Sequence, residues 1–139
     1  MIETPPDKVV IPREVEALAT ISVDAALEVH RQLGPGLLES AYEACFAHEL
    51  ELRGIRYQRQ LAVPLNYKGT MVEVGFRADL LVGEKLLIEL KAADELQPIH
   101  RAQVITCLKL LNLPLGLLIN FNSTLLKHGL RRVLNIPKT

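Results

Sequence analysis

The stretch that decides the fold is FRADLLVGEKLLIELK, which runs from Phe76 to Lys91. Its even-numbered positions outside the central break are all apolar, namely Phe76, Ala78, Leu80, Val82, Leu86, Ile88 and Leu90. Its odd-numbered positions are mixed and carry Arg77, Asp79, Leu81, Leu87, Glu89 and Lys91. Alternation with a period of two predicts β-strands, because successive side chains of a strand point to opposite faces. The break at Gly83-Glu84-Lys85 predicts the turn of a hairpin.

The length of this turn determines the register of the predicted hairpin. A three-residue loop, 83–85, pairs Val82 with Leu86 and Asp79 with Glu89. A two-residue loop would pair Asp79 with Ile88 and expose one apolar face. A slip of one residue moves every side chain to the other face. We therefore predict the three-residue loop, with every even-numbered residue on one face.

This register places Asp79, Glu89 and Lys91 together on the opposite face. Two carboxylates and an ammonium are costly on a largely buried sheet unless something pairs with them. A hard divalent cation is a common partner for such a pair, since Mg²⁺ takes oxygen ligands and often only one or two protein carboxylates. An ordinary ion pair between Glu89 and Lys91 on an exposed strand is the simpler alternative.

Composition predicts a single domain in a soluble, cytosolic protein. The 139 residues suffice for one core, and we assign residues 1–13 to an N-terminal arm and residues 14–139 to the domain. The chain contains no apolar run long enough to span a bilayer, and its first residues lack the pattern of a signal peptide. Cys45 and Cys107 are too far apart to suggest a metal-ligand motif or a disulfide framework.

Charge is unevenly distributed along the chain. Residues 1–55 hold 4 Lys and Arg against 10 Asp and Glu, a net of −6, and the remaining residues therefore hold 12 against 6, a net of +6. The neutral total argues against a sequence-blind polyanion binder. The basic half is compatible either with a local phosphate-facing surface or with ordinary solvated faces.

Periodicity and breakers predict the remaining elements. Helices are expected over Arg13–Leu33, Leu37–Arg53 and Gln97–Leu113, and strands over Ile55–Tyr67, Met71–Val82, Lys85–Ala92 and Leu115–Phe121. Residues 125–136 fit either a helix or a short strand. Pro64 suggests an edge strand or a bulge. Helices flanking a mixed central sheet define an α/β or α+β fold.

Three motifs together resemble those of a known family. Asp79 followed by Glu89-Leu90-Lys91 resembles the D…(D/E)-x-K signature of the PD-(D/E)XK nuclease superfamily, and the element order is similar to its αβββαβ core. The segment from Gly36 to Tyr42, GLLESAY, resembles the motif of one branch, the GxxExxY proteins. Gln103 resembles the glutamine of a helical Q-x-x-x-Y motif.

Two positions depart from these motifs. Cys107 stands where the Q-x-x-x-Y tyrosine would be, and we interpret it as a small buried hydrophobic residue. Ala78 stands where the proline of the superfamily signature would precede Asp79.

The resemblance implies roles for particular residues. Asp79 and Glu89 would bind Mg²⁺ or Mn²⁺, with Glu39 as a further ligand, direct or through water. Lys91 would orient or deprotonate the attacking water, or stabilise charge on the phosphate, and Gln103 would position the substrate or a neighbouring side chain. Favourable interaction with the helix dipole is the simpler explanation of Glu39.

Two further side chains are candidates for substrate binding. These are Arg77 and His100. His100 also fits an ordinary polar helix residue, and Tyr42 is expected to pack against the sheet with its hydroxyl satisfied.

Three functions are compatible with these residues. The first is a divalent-metal-dependent nuclease that acts on DNA in preference to RNA. The second is a binding or scaffold module that keeps the nuclease fold with little turnover, because the chain is short, neutral and poor in aromatic residues that could stack on bases. The third is a phosphodiesterase acting on a small nucleotide. A homodimer is compatible with each of them, through the edge near Pro64 or the final element.

Overall fold

The structure, a computed structural model, describes residues 10–136. Its elements in chain order are α1 Arg13–Leu33, α2 Glu39–Leu52, β1 Tyr57–Tyr67, β2 Thr70–Val82, β3 Leu86–Lys91, α3 Pro98–Leu111, β4 Leu115–Asn120, a 3₁₀ helix Leu126–Gly129 and β5 Leu130–Leu134. This order confirms the predicted one. Most of the predicted N-terminal arm lies outside the described residues, and Arg13, which we assigned to it, is the first residue of α1.

The predicted bounds of α1 are those of the structure, and the bounds of the other predicted helices and strands shift by one or two residues. The second helix begins at Glu39 rather than at Leu37, because Leu38 keeps an extended backbone with φ −67° and ψ 147°. Residues 125–136, for which both helix and strand were open, form the short 3₁₀ helix and then β5.

The strands form one mixed sheet in the order β1-β2-β3-β4-β5. Only β3 and β4 pair in parallel, and α3 connects them, while the other neighbours are antiparallel. The predicted class, an α+β fold with a mixed central sheet, is confirmed. Pro64 lies in the edge strand β1, where the register shifts between Val63 and Leu65, so both features suggested by this proline are present.

Helices cover the sheet on both sides. The first core lies between the sheet and α1 and α2, and the second lies under α3. Every residue of β4 is buried, as predicted for a strand covered on both faces. Gly116 lets α3 approach β4 closely, because a Cβ there would lie 2.8 Å from Val104 Cγ1.

The predicted register of the β2–β3 hairpin is confirmed. Val82 pairs with Leu86, and Leu80 with Ile88, across a three-residue loop. Gly83 and Glu84 both adopt positive φ, at 57° and 63°. The regular ladder ends at Leu80 and Ile88, so the backbones of Asp79 and Glu89 do not continue it.

The prediction that all even-numbered residues of the stretch share one face is wrong for its first part. Leu80 and Val82 belong to the core under α1 and α2, whereas Ala78 and Phe76 pack in the core under α3. The strand β1 changes face at the same level, because Tyr57 packs against the first core and Leu61 against the second.

The physical reason is a local interruption of the ladder between β1 and β2. Pairing runs through Arg59 and Leu80 and resumes at Leu61 and Ala78, so the intervening pair is skipped. The skipped β1 residue, Gln60, has a φ of 52°. A residue in the left-handed region breaks the alternation of a strand, and the side chains beyond it point to the other side of the sheet.

Tyr42 holds the loop between α1 and α2. Its hydroxyl donates to the Gly34 carbonyl at 2.5 Å and accepts from the Leu37 N–H at 3.1 Å. The ring is fully buried and stacks on Phe121, with centroids 4.7 Å apart. Gly36, the first residue of the GxxExxY-like segment, has a φ of 104°, which favours glycine. Tyr42 is thus packed with its hydroxyl satisfied, as predicted.

We expect Tyr42→Phe to destabilise the protein by about 1 kcal/mol, because the substitution leaves the partly buried Leu37 N–H and Gly34 carbonyl without their partner while keeping the ring. Urea unfolding at neutral pH measures the difference. Tyr67→Phe is the matched control, since that side chain is on an exposed residue of β1. Equal stability of the two variants would contradict this role of the hydroxyl.

Candidate active site

Asp79 and Glu89 are joined where the ladder between β2 and β3 ends. The Leu90 N–H donates to Asp79 Oδ2 at 2.8 Å, and the Asp79 N–H donates to Glu89 Oε1 at 3.0 Å. Each carboxylate therefore satisfies a backbone group of the neighbouring strand that the ladder leaves free. The structure brings these two predicted site residues together through their side chains, and not through the regular backbone pair that the register implied.

The pair is electrostatically strained. Glu89 is only 5% exposed, and burial raises the pKa of its carboxyl to about 8, reinforced by the negative charge of Asp79 and opposed by Lys91. Burial disfavours the ionised form because solvation is lost. A divalent cation would relieve this cost.

The donor set fits a hard divalent ion in type and in minimum number. Two carboxylates supply the oxygen ligands that Mg²⁺ accepts, with water completing its coordination. Among residues 10–136, however, no group of three or more His, Cys, Asp and Glu side chains is arranged to hold a metal ion. Asp79 and Glu89 would thus hold the ion as a pair, and the role of Glu39 as a third ligand stays a prediction.

Glu39 is the first residue of α2. Glu39 is exposed, yet partial loss of solvent raises the pKa of its carboxyl. The positive charge of Lys91 lowers this pKa, and the negative charges of Asp79 and Glu43 raise it. Glu39 is therefore close enough to respond to the site while remaining in contact with water.

Lys91 ends β3 beside the carboxylates. Its carbonyl accepts the Phe121 N–H at 2.9 Å, and the buried Asn120 side chain clamps the chain just beyond it through both the N–H and the carbonyl of Ala93, at 3.0 and 2.9 Å. No hydrogen bond or ion pair engages the Lys91 ammonium within residues 10–136. The backbone is thus fixed while the charged end is available to a substrate.

The helix α3 borders the site through a stripe of His100, Gln103 and Cys107, which are three and four residues apart and therefore share one helix face. Cys107 is fully buried, as predicted, and burial raises the pKa of its thiol to about 12, reinforced by the negative charge of Glu89. Because the charge of Glu89 contributes to this raised pKa, Cys107 lies near Glu89. Gln103, one helical turn earlier, is exposed, so its amide is accessible to a ligand on that side.

The two candidates for substrate binding make structural contacts. His100 Nδ1 accepts the Gln97 N–H at 2.9 Å at the start of α3, which fits its interpretation as a polar helix residue. Arg77 is exposed and donates to the Gln60 carbonyl at 3.1 Å. Neither side chain bonds to Asp79 or Glu89, and their binding roles stay predictions.

Sequence reasoning missed a polar network that adjoins Asp79. Its members are Glu43, Arg59 and Gln60. One signal for Glu43 was available, because it lies four residues after Glu39 and so on the same helix face. No periodicity marks Gln60, since its contribution depends on a left-handed backbone that glutamine rarely adopts.

Comparison with known proteins establishes the class. The family model of the PD-(D/E)XK nuclease superfamily matches residues 16–133. The chain belongs to this superfamily, and the predicted resemblance is confirmed at that level. No curated protein and no solved structure matched the chain. None of the helices within residues 10–136 has the length and apolarity needed to cross a lipid bilayer.

We expect Glu89→Gln to stabilise the metal-free protein at pH 8 by about 1 kcal/mol or more, which is about 3 °C in Tm. The amide keeps the acceptor oxygen for the Asp79 N–H but carries no charge. Because the folded pKa of about 8 lies above the ordinary 4.5, the folded state binds more protons between these values, and stability falls as pH rises through this window.

Thermal unfolding in a chelator from pH 5 to pH 8.5 measures this effect. The gain from Glu89→Gln should shrink towards pH 5, where Glu89 is protonated in the folded protein. Glu73→Gln, an exposed carboxylate of β2, serves as the control and should show no such trend. A gain that does not depend on pH would refute the assignment.

Proposed function

We propose that this protein is a divalent-metal-dependent nuclease that hydrolyses phosphodiester bonds of DNA, and that it belongs to the GxxExxY branch of its superfamily. One observation carries the proposal. The carboxylates of buried Glu89 and half-buried Asp79, each of which accepts a backbone N–H of the neighbouring strand, lie beside an ammonium, Lys91, that no side chain within residues 10–136 engages. The superfamily supports nuclease chemistry, and the geometry supports the residues that would perform it.

The assigned roles follow from the chemistry of each group. Asp79 and Glu89 would hold Mg²⁺ or Mn²⁺, which supplies a nucleophile at neutral pH and stabilises charge on the phosphate. Lys91 would orient the attacking water and stabilise the negative charge that develops on the phosphate. A general base must be uncharged, whereas the role proposed for Lys91 uses its charged ammonium.

Two further residues would act on the substrate side. Gln103 would position the phosphate or a base from α3, because its exposed amide lies on the stripe that passes Glu89. Glu39 would contribute through a water molecule, since its exposed carboxyl responds to the charges of Lys91 and Asp79 but completes no three-ligand group. The net charge of +6 on residues 56–139 supports a polyanionic substrate.

A scaffold module with weak turnover is the second candidate. The observation that favours it is that the carboxylates of the described residues do not form a three-ligand group. A divalent ion held by only two carboxylates binds weakly when the substrate does not complete its coordination. The two candidates differ in whether cleavage occurs with substrate present, and so the assay must contain both metal and nucleic acid.

We expect Mn²⁺-dependent cleavage of DNA by the native protein, and a loss of about 100-fold or more in Asp79→Asn, because one ligand oxygen loses its charge. Branched, single-stranded and duplex DNA are tested in parallel with the matching RNA. Asp94→Asn, an exposed carboxylate after β3, is the matched control. Unchanged cleavage in Asp79→Asn would mean that the activity belongs to another site or a contaminant.

We expect Lys91→Met to retain metal binding and to lose turnover by about 100-fold, since it removes electrostatic stabilisation but no ligand. The rise in Tm on addition of Mn²⁺ measures binding. At a Mn²⁺ concentration of about a hundred times Kd, the metal should stabilise the folded protein by about 2.7 kcal/mol. Lys109→Met, an exposed lysine of α3, is the control. Lost binding with retained turnover would reverse the assigned roles.

A further inference from the structure

Gln60 occupies an unusual position in the middle of β1. Its φ of 52° lies in the left-handed region, which is unfavourable for a residue with a Cβ. It stands opposite Asp79, at the pair that the ladder between β1 and β2 skips. A glycine at this position would adopt the same backbone without that cost. The glutamine side chain therefore has a use that offsets the strain.

The side chain of Gln60 lies between two carboxylates. Its amide nitrogen donates to Glu43 Oε1 at 2.7 Å and to Asp79 Oδ1 at 3.4 Å. Ionised carboxylates only accept hydrogen bonds, so the NH₂ end of the amide is the end that fits between them. The bond to Asp79 is the longer one, and hydrogen bonds at catalytic groups are often long before substrate is bound.

Glu43 and Arg59 hold Gln60 in this place. Glu43 is 7% exposed, and its second oxygen accepts from the Arg59 guanidinium at 3.1 and 3.0 Å. The Gln60 carbonyl accepts from Arg77 at 3.1 Å. Both the side chain and the backbone of the strained residue are thus fixed by charged partners, which strengthens these bonds.

The network connects the two parts of the site that come from different elements. Glu43 lies one helical turn after Glu39 on α2, and Gln60 bridges from Glu43 to Asp79 on β2. We propose that Gln60 is a positioning residue that orients the Asp79 carboxylate and holds α2, with Glu39, at a fixed distance from the carboxylate pair. This inference rests on the proposed function. Gln60 acts through Asp79 and does not contact the reacting atoms.

Gln60→Gly tests the proposal, because it removes the amide and relieves the backbone at once. We expect its stability to equal or exceed that of the native protein, while its turnover falls about 10-fold. The Mn²⁺ concentration for half-maximal thermal stabilisation should rise several-fold, since Asp79 is no longer oriented. This second measurement does not depend on activity.

Two variants sharpen the result. Gln60→Glu has the same size but no donor, and should lose turnover at least as strongly as Gln60→Gly. Gln58→Gly is the matched control on the same strand, because Gln58 pairs regularly with Leu81 and is exposed. It should keep native turnover and native Mn²⁺ dependence.

The outcomes separate this inference from the proposed function. Native turnover and Mn²⁺ dependence in Gln60→Gly, with Asp79→Asn inactive, would overturn the positioning role alone. A large loss of stability in Gln60→Gly would overturn it too, as the residue would then be structural. Unchanged cleavage in Asp79→Asn would overturn the proposed function and this role with it.

Discussion

The structure depends on how the backbone hydrogen-bonding groups find partners where β2 and β3 separate. The regular ladder between these strands ends at Leu80 and Ile88, just before the Asp79 and Leu90 N–H groups. The carboxylates of Glu89 and Asp79 accept those two N–H groups instead. Two acidic side chains are thereby fixed against each other in a place with little solvent. The free-energy cost of ionising Glu89 in this place appears as its raised pKa. A bound cation would offset that cost.

Elements on both faces of the sheet place side chains near the carboxylates of Asp79 and Glu89. The helix α2 begins next to the site, because Tyr42 fixes the preceding loop and stacks on Phe121 after β4. This gives the tyrosine of the GxxExxY-like segment a structural role and places its glutamate, Glu39, where the charges of Lys91 and Asp79 reach its carboxyl. On the other face, α3 carries the stripe of Gln103 and Cys107 past Glu89.

Much of this could be predicted from the sequence, because period-two alternation and the position of Gly83 determine a register that brings Asp79 and Glu89 together. Helix bounds were also within reach, since Gly34, Pro35 and Gly36 break the periodicity sharply. The change of face at Gln60 was not predictable, because a left-handed glutamine leaves the alternation of residue types intact. The ion pair between buried Glu43 and exposed Arg59 was missed for a related reason, as it depends on how α2 crosses β1 and not on any local pattern.

The change of face also links the two hydrophobic cores. The apolar residues of β1 before Gln60 and of β2 after Asp79 pack under α1 and α2. Those of β1 after Gln60 and of β2 before Asp79 pack under α3. One continuous two-stranded ribbon thus contributes to both cores, and the buried strand β4 does so as well. Neither core can lose its packing without disrupting strands that also form the other core. The domain should therefore unfold as one cooperative unit rather than layer by layer.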